Sequence, residues 1–364
     1  MGDLIRTTPE LVEACAVARA DGLLAIDTEF VWKCTYRPRL GIVQIGARDA
    51  CWAIDCLTGL DPAPLRSLIE DPAVVKILHD ARQDLTHLKA WTSAGPKNVF
   101  DTQLAAAFAG FPGGIGLQKL LLEAIDIGLP KTETCTDWTQ RPLSDAQVRY
   151  ALDDVRYLPA LRDELLRRAK EFGTADWMLA DQRKYDDPAL YSELDPDEAW
   201  KRVKTQRTRL DGLGLAVLRS VAACREELAA KWNLPRTWLG DDASLTGMAA
   251  SRRVTHLAHR LRGGQGDTLR ALYAKAVESA LALPEEEWPE NPHPHYIQEV
   301  IASAGDAIKW LAERAEELHV DPTVIANRAT VTAYIDNVDD ETNPLASGWR
   351  YEAVGAEMAE KFDV

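Results

Sequence analysis

Asp27-Thr28-Glu29 sets two carboxylates two residues apart inside a run whose flanks, Leu23-Leu24-Ala25-Ile26 and Phe30, are apolar. A strand alternates its side chains with a period of two, so both acids leave the same face of a buried strand. Held this way they repel each other unless a cation lies between them; alone, the pair also fits a solvated strand end. Tyr150 and Asp154 stand four residues apart, one turn along one face of a helix. That spacing sets a phenol beside a carboxylate, an arrangement suited to activating water next to a metal; it equally fits a core tyrosine above a solvent-facing acid. Asp153 competes for the role but points about 100° away around the same helix. Between the two pairs, His79-Asp80-Ala81-Arg82-Gln83-Asp84-Leu85 leaves a strand and opens a helix. Asp80 stands at the N-cap position, Asp84 lies one turn further in as a surface acid or a group free for another role, and His79 is expected to serve the helix start or packing.

The elements that carry these groups are legible as periodicities. Strands are predicted over Leu23 to Phe30, Gly41 to Gly46 and Ala50 to Ile54, with Arg48 and Asp49 at a tight turn, as an antiparallel meander. Helix and strand then alternate: a helix near Leu65 to Glu70, a strand Val74 to Leu78, a helix Arg82 to Trp91, a strand Asn98 to Phe100, and helices from Thr102 onward. The pattern implies a mixed sheet flanked by helices. Over Asp145 to Phe172, Val148, Ala151, Leu152, Val155, Leu158, Leu161 and Leu165 form one helical stripe, which Pro159 kinks or divides. Asp186-Asp187-Pro188 marks a domain boundary at about residue 186, after which the chain reads as helical. A second boundary is expected at Gly263-Gly264-Gln265-Gly266, and a proline-rich connector follows over Pro284 to Pro294.

A length of 364 residues predicts two or three domains, and 46% hydrophobic with 27% charged residues predicts an ordinary folded protein. The first ten residues lack the basic start and apolar run of a signal peptide, and no stretch of about 18 apolar residues occurs. A cytoplasmic protein is therefore expected, with no membrane association. Cys15, Cys34, Cys51, Cys56, Cys135 and Cys224 contain no Cys-x-x-Cys, which argues for small buried hydrophobes over a zinc site. A net charge of −15 argues against nucleic acid as partner, since phosphate binding leaves a basic footprint. The charge is uneven, however: −4 over residues 1–185, +2 over 186–262 and −13 over 263–364. No Gly-x-x-x-x-Gly-Lys-[Ser/Thr] phosphate loop occurs, which excludes a helicase motor and a nucleotide cofactor of that kind.

The order Asp27-x-Glu29, Asp84, Tyr150-x-x-x-Asp154 resembles the three exonuclease motifs of the DEDD superfamily in its tyrosine-containing branch. Ala25-Ile26-Asp27-Thr28-Glu29-Phe30, Val43-Gln44-Ile45-Gly46, Phe100-Asp101-Thr102-Gln103, Trp138-x-x-Arg141-Pro142-Leu143 and Tyr150-Ala151-Leu152-Asp153-Asp154-Val155 narrow the resemblance to the ribonuclease D family over about residues 20–160. The helical remainder resembles the HRDC module in two copies. Glu198-Ala199-Trp200-Lys201-Arg202-Val203 and Leu234-Pro235-Arg236 carry the first; Trp310-Leu311-x-x-Arg314-Ala315 and Val320-Asp321-Pro322 carry the second.

The resemblance implies an α/β fold, a ribonuclease-H-like mixed sheet flanked by helices over residues 1–185, followed by two all-α HRDC-like modules over 186–262 and 263–364. It implies a metal-dependent 3′-to-5′ exoribonuclease that trims RNA, transfer RNA precursors included, to nucleoside 5′-monophosphates. Two divalent cations, Mg²⁺ or Mn²⁺, suit a set of hard oxygen ligands without Cys or an obligatory His. Asp27, Glu29 and Asp154 are implied to hold one ion, Asp27 to bridge to a second that Asp84 supports, and Tyr150 to orient the attacking water. Two such ions add four positive charges, which cancels the −4 of the first domain. RNA contacts are expected at Lys131 and Arg141, each equally a surface cation or a core-edge salt bridge, and along the stripe containing Lys201, Lys204 and Arg207, equally a solvated helix face. Rival readings are a DNA exonuclease of the same superfamily and a nonenzymatic RNA-binding adapter.

Overall fold

The computed structural model describes residues 4–130, 136–205, 208–255, 257, 260–261, 264–291 and 296–363. The expected contacts at Lys131 and Arg207 lie outside the described residues. In chain order the α/β part comprises β1 (Leu4–Ile5), α1 (Thr8–Asp21), β2 (Leu23–Val31), β3 (Arg39–Gly46), β4 (Cys51–Asp55), α2 (Ala63–Ile69), β5 (Val75–Leu78), α3 (Ala81–Thr92), β6 (Val99–Asp101), α4 (Thr102–Ala106), α5 (Leu117–Ile125), α6 (Asp145–Arg156) and α7 (Leu158–Phe172). The sheet order is β1-β4-β3-β2-β5-β6. β3 and β4 pair antiparallel, while β1 with β4, β2 with β5, and β5 with β6 pair parallel. The mixed sheet expected from the alternating pattern is present. The N-terminal β1 and α1 were not anticipated, because α1 has small and polar residues spread around it and a weak apolar stripe.

Alternation along β2 divides the core in two. Leu23 and Ala25 join a cluster with Phe108, Leu121, Val155, Leu161 and Leu165, on the face covered by α4 to α7. Leu24 and Ile26 join Leu11, Leu65, Leu85 and Leu88, on the face covered by α1, α2 and α3. The long helical stripe is divided at the proline: α6 ends at Arg156, and Pro159 occupies the first turn of α7, where a missing N–H costs no intrahelical bond.

The chain forms two compact units. One comprises Met1–Val31, Leu40–Ser192 and Tyr296–Val364; the other comprises Trp32–Arg39 and Glu193–His295. The division expected at Gly263 to Gly266 is therefore displaced. The helix Gln265–Leu281 supplies Leu269, Tyr273, Val277 and Ala280 to the core of the second unit, where they meet Val217, Val221 and Leu245. The helices Gln298–Glu317, Arg328–Asp336 and Ala356–Phe362 instead place Leu311, Val331, Tyr334 and Met358 in the same cluster as Leu121 and Leu161. Local composition marked the glycine run as a break, but buried apolar contact decides which unit a helix joins. Among the described residues, no helix is long and apolar enough to cross a membrane.

Candidate active site

Past Ile26 the face of β2 that turns toward α6 carries Asp27 and then Glu29, and α6 presents Asp154 to it. Ligand oxygens of these three carboxylates all lie within 4.8 Å of one another. Both sequence pairs thus converge, the strand pair by its period of two and the helical acid by a capping box, Ser144 with Gln147, that fixes where α6 begins. Tyr150 stands one turn before Asp154, close enough that the Asp154 carboxylate raises the pKa of its phenol. The Tyr150 ring packs on Trp138, with centroids 6.0 Å apart.

Asp84 comes from the other side. It is buried on α3, and the hydroxyl of Thr28, which points to the opposite face from Asp27 and Glu29, donates to its Oδ1. Thr28 also lies 3.4 Å from His87 Nδ1, and the His87 ring meets Phe30 edge-on with centroids 4.1 Å apart. Asp84 is outside the three-carboxylate group but close enough that its charge raises the pKa of both Asp27 and Glu29.

Electrostatics follow from burial and like charge. Burial, followed by repulsion from Asp84, Asp154 and Glu29, raises the Asp27 carboxyl well above its ordinary range. Burial and then the charges of Asp154 and Asp84 push Glu29 up to about 8. Burial is also the main cause of the rise to about 7 at Asp84, and at Asp154, where Asp153 adds repulsion. Burial and these carboxylates also raise the Tyr150 phenol, which stays protonated. Four acids whose ionised forms are all disfavoured, three of them with converging oxygens, fit a divalent cation held by hard oxygen donors.

Two further residues hold this arrangement. Gln44 is fully buried in the second half of β3 and donates from Nε2 to Asp27 Oδ2 at 3.3 Å. Its amide in an otherwise apolar strand was the available sequence signal, since a buried polar side chain needs a partner. Asp101 corrects the reading of the α3 start. Asp80 caps nothing with its side chain and has a left-handed backbone, φ +61. The Asp101 carboxylate accepts from the N–H groups of Asp80 and Ala81 at 3.0 and 3.1 Å, and from those of Gln103 and Leu104 at the start of α4. One carboxylate therefore serves two helix N-termini. His79 bridges Thr102 Oγ1 and the Ile115 carbonyl, both at 3.0 Å, which is a packing role.

Arg141 is the second correction. Its Nε and Nη2 donate to both oxygens of the buried Asp55 at 2.7 and 2.6 Å, and its remaining N–H groups donate to the carbonyls of Gly41, Trp138 and Gln140. Every donor of the guanidinium is used inside the fold, which selects the core-edge salt bridge over a phosphate contact. The contact is close enough that a Cβ at position 41 would stand 2.4 Å from the Trp138 carbonyl oxygen, so glycine is required there. Burial alone would raise the Asp55 carboxyl, but the hydrogen bonds and charge of Arg141 hold it below the ordinary range. Replacing Arg141 by Ala leaves Asp55 buried without a counter-charge, and a loss of about 3–5 kcal/mol in urea denaturation is expected. Because the Asp55 pKa is depressed, its contribution is full above pH ~4 and is lost as pH falls below that. A variant within about 1 kcal/mol of the parent at neutral pH would contradict the clamp.

In the second unit, Lys201 lies in the last turn of the short 3-10 helix Pro196–Arg202 and its Nζ pairs with Glu198. Lys204 is exposed in the irregular segment that follows, with its backbone N–H on Asp242 at 3.1 Å. The described part of this cationic stripe is therefore no continuous helix face.

Comparison with known proteins agrees with this geometry. A family profile described as a 3′-5′ exonuclease matches residues 3–170. The chain is 34% identical over 369 residues to ribonuclease D of Desulfotalea psychrophila, covering 96% of each chain. It is 36% identical over 367 residues to ribonuclease D of Pseudomonas paraeruginosa, covering 96% of this chain and 95% of that one. Among solved structures it resembles Escherichia coli RNase D, described as an exoribonuclease involved in structured RNA processing, with TM-score 0.83, 26% identity and 99% of both chains covered. Full-length identity, the sheet with its C-terminal helical region, and an acidic centre suited to divalent metal lead to one conclusion: the chain belongs to the ribonuclease D family and is a 3′-to-5′ exoribonuclease.

Proposed function

We propose that the chain trims structured RNA from its 3′ end, transfer RNA precursors included, and releases nucleoside 5′-monophosphates in a cytoplasmic setting. The observation that carries this reading is the convergence of Asp27, Glu29 and Asp154 beside a protonated Tyr150. In this reading Asp27, Glu29 and Asp154 hold one divalent cation, and Asp27 with Asp84 holds a second, Mg²⁺ or Mn²⁺ in each case. When bound, two such ions neutralise the phosphate oxygens, favour ionisation of the attacking water and support the departing 3′ oxygen. The Tyr150 hydroxyl, one helical turn from Asp154 and backed by Trp138, orients that water. Gln44 fixes the rotamer of Asp27, and Thr28 fixes that of Asp84. The helices of the second unit belong to the same proposal as an HRDC-like module that engages long RNA.

The test is release of mononucleotides from end-labelled RNA and DNA of one sequence, long and short, with Mg²⁺, Mn²⁺ or chelator. Stepwise loss of nucleotides from the 3′ end of RNA, abolished by chelator, is expected. Faster loss from DNA would favour the DNA-directed rival, and no hydrolysis with either metal would favour an adapter. Equal affinity for long and short RNA would remove the second unit from substrate binding.

A further inference from the structure

The face of α6 that carries Tyr150 and Asp154 also carries a cation with no assigned role. Ala146, Arg149, Tyr150, Asp153 and Asp154 recur at the spacing of one helical stripe, and together they line a cavity of about 210 Å³. Gln118 of α5 and the apolar pair Leu129 and Pro130 complete its walls. This is smaller than the roughly 300–1,000 Å³ that encloses a whole drug-sized ligand, and it opens beside the converging carboxylates. It therefore suits part of one nucleotide of a chain, such as a phosphate with the edge of its base or sugar.

The charges in the cavity are already sorted. Asp153 is taken by Arg156, with Nε 3.2 Å from Oδ1. Arg141, which does not line the cavity, is spent on Asp55 and three carbonyls. Arg149 is exposed and, among the described residues, forms no ion pair or hydrogen bond. Its fixed charge and forked donors match a phosphate better than any other group lining the cavity. A lone exposed arginine is ordinary on a helix; one that shares a concave wall with Tyr150 and Asp154 stands where an RNA backbone must pass to be cut.

We propose that Arg149 is a substrate-binding residue that grips an RNA phosphate adjoining the scissile linkage, with Leu129, Pro130 and Ala146 as the apolar wall for the neighbouring base. The assignment rests on the exoribonuclease reading. The experiment compares the parent, Arg149→Ala, Arg149→Lys and Arg66→Ala; Arg66 is a cation of α2 that does not line the cavity. Hydrolysis of a short 5′-labelled oligoribonucleotide gives KM and kcat, and fluorescence anisotropy with Ca²⁺ as the metal gives the affinity over a range of salt. For Arg149→Ala, KM and Kd are expected to rise about ten-fold, with the loss in KM rather than kcat. The slope of log affinity against log salt should fall by about 0.7, the value for one single-strand phosphate contact. Arg149→Lys should recover part of both, and Arg66→Ala neither. Values for Arg149→Ala equal to those of Arg66→Ala would overturn the proposal, as would a raised KM with an unchanged salt slope, which would assign Arg149 to a base or sugar. Failure of the parent to release nucleotides from RNA would instead remove the exoribonuclease reading, while the salt slope would still report on Arg149.

Discussion

Asp154→Asn is expected to lower single-turnover hydrolysis of a 3′-hydroxyl RNA by roughly 10³-fold or more, whereas Asp153→Asn should lower it by less than about ten-fold. The two acids are adjacent in sequence and differ in where they are aimed. An oxygen of Asp154 lies within 4.8 Å of ligand oxygens of Asp27 and Glu29, so its loss removes one of three donors to a cation. Asp153 is held by Arg156 and acts on the site mainly through its charge, which raises the Asp154 carboxyl. Tyr150→Phe should fall between them. The ring keeps its packing on Trp138 and only the hydroxyl is lost, so water positioning weakens while the ligands remain. Near-equal losses at Asp153 and Asp154 would dismantle the metal assignment.

The second large effect is on stability. Without a cation, Glu29 titrates near 8, Asp84 and Asp154 near 7, and Asp27 is raised as well, against about 4 for carboxyls of an unfolded chain. The folded state therefore keeps protons that the unfolded chain has released. Stability from these groups is full below pH ~4 and is lost as pH rises through about 7 to 8. A divalent cation opposes that loss by replacing the protons, so its stabilisation should grow over the same range. At a free concentration of 100 times its Kd, a single ion adds about 2.7 kcal/mol, or roughly 3–5 °C in melting temperature for a chain of this size. Calorimetry with Mg²⁺, Mn²⁺ or chelator at pH 5.5 and pH 8 should show the larger shift at pH 8, and Asp27→Asn should reduce it. No metal-dependent shift at pH 8 would leave the clustered carboxylates without their physical rationale.

Much of the site was legible because it is written in local periods. Asp27 and Glu29 share a face because a strand repeats every two residues, and Tyr150 and Asp154 share one because a helix returns after four; neither relation depends on the rest of the chain. The order of strands and helices from Leu23 to Phe172, and the break at Pro159, were readable for the same reason; β1 and α1 before them were not. Distant partners were decided by the tertiary structure. Asp84 lies on the opposite side of β2 from Asp154 and is fixed by Thr28, 56 residues away. The α3 start is capped by Asp101, 21 residues beyond Asp80, and not by Asp80 itself. Arg141, which by sequence could equally have met a phosphate, is used up by Asp55, 86 residues earlier. The glycine run at 263–266 marked a break in composition, yet Leu269 and Tyr273 bind the helix after it to the second unit, and Leu311 and Tyr334 bring the later helices into the catalytic one. A polar group or an apolar stripe declares from sequence only that it needs a partner. Which partner it finds depends on what folding brings within about 3 Å for a hydrogen bond, or about 4 Å for apolar contact, and no local pattern encodes that.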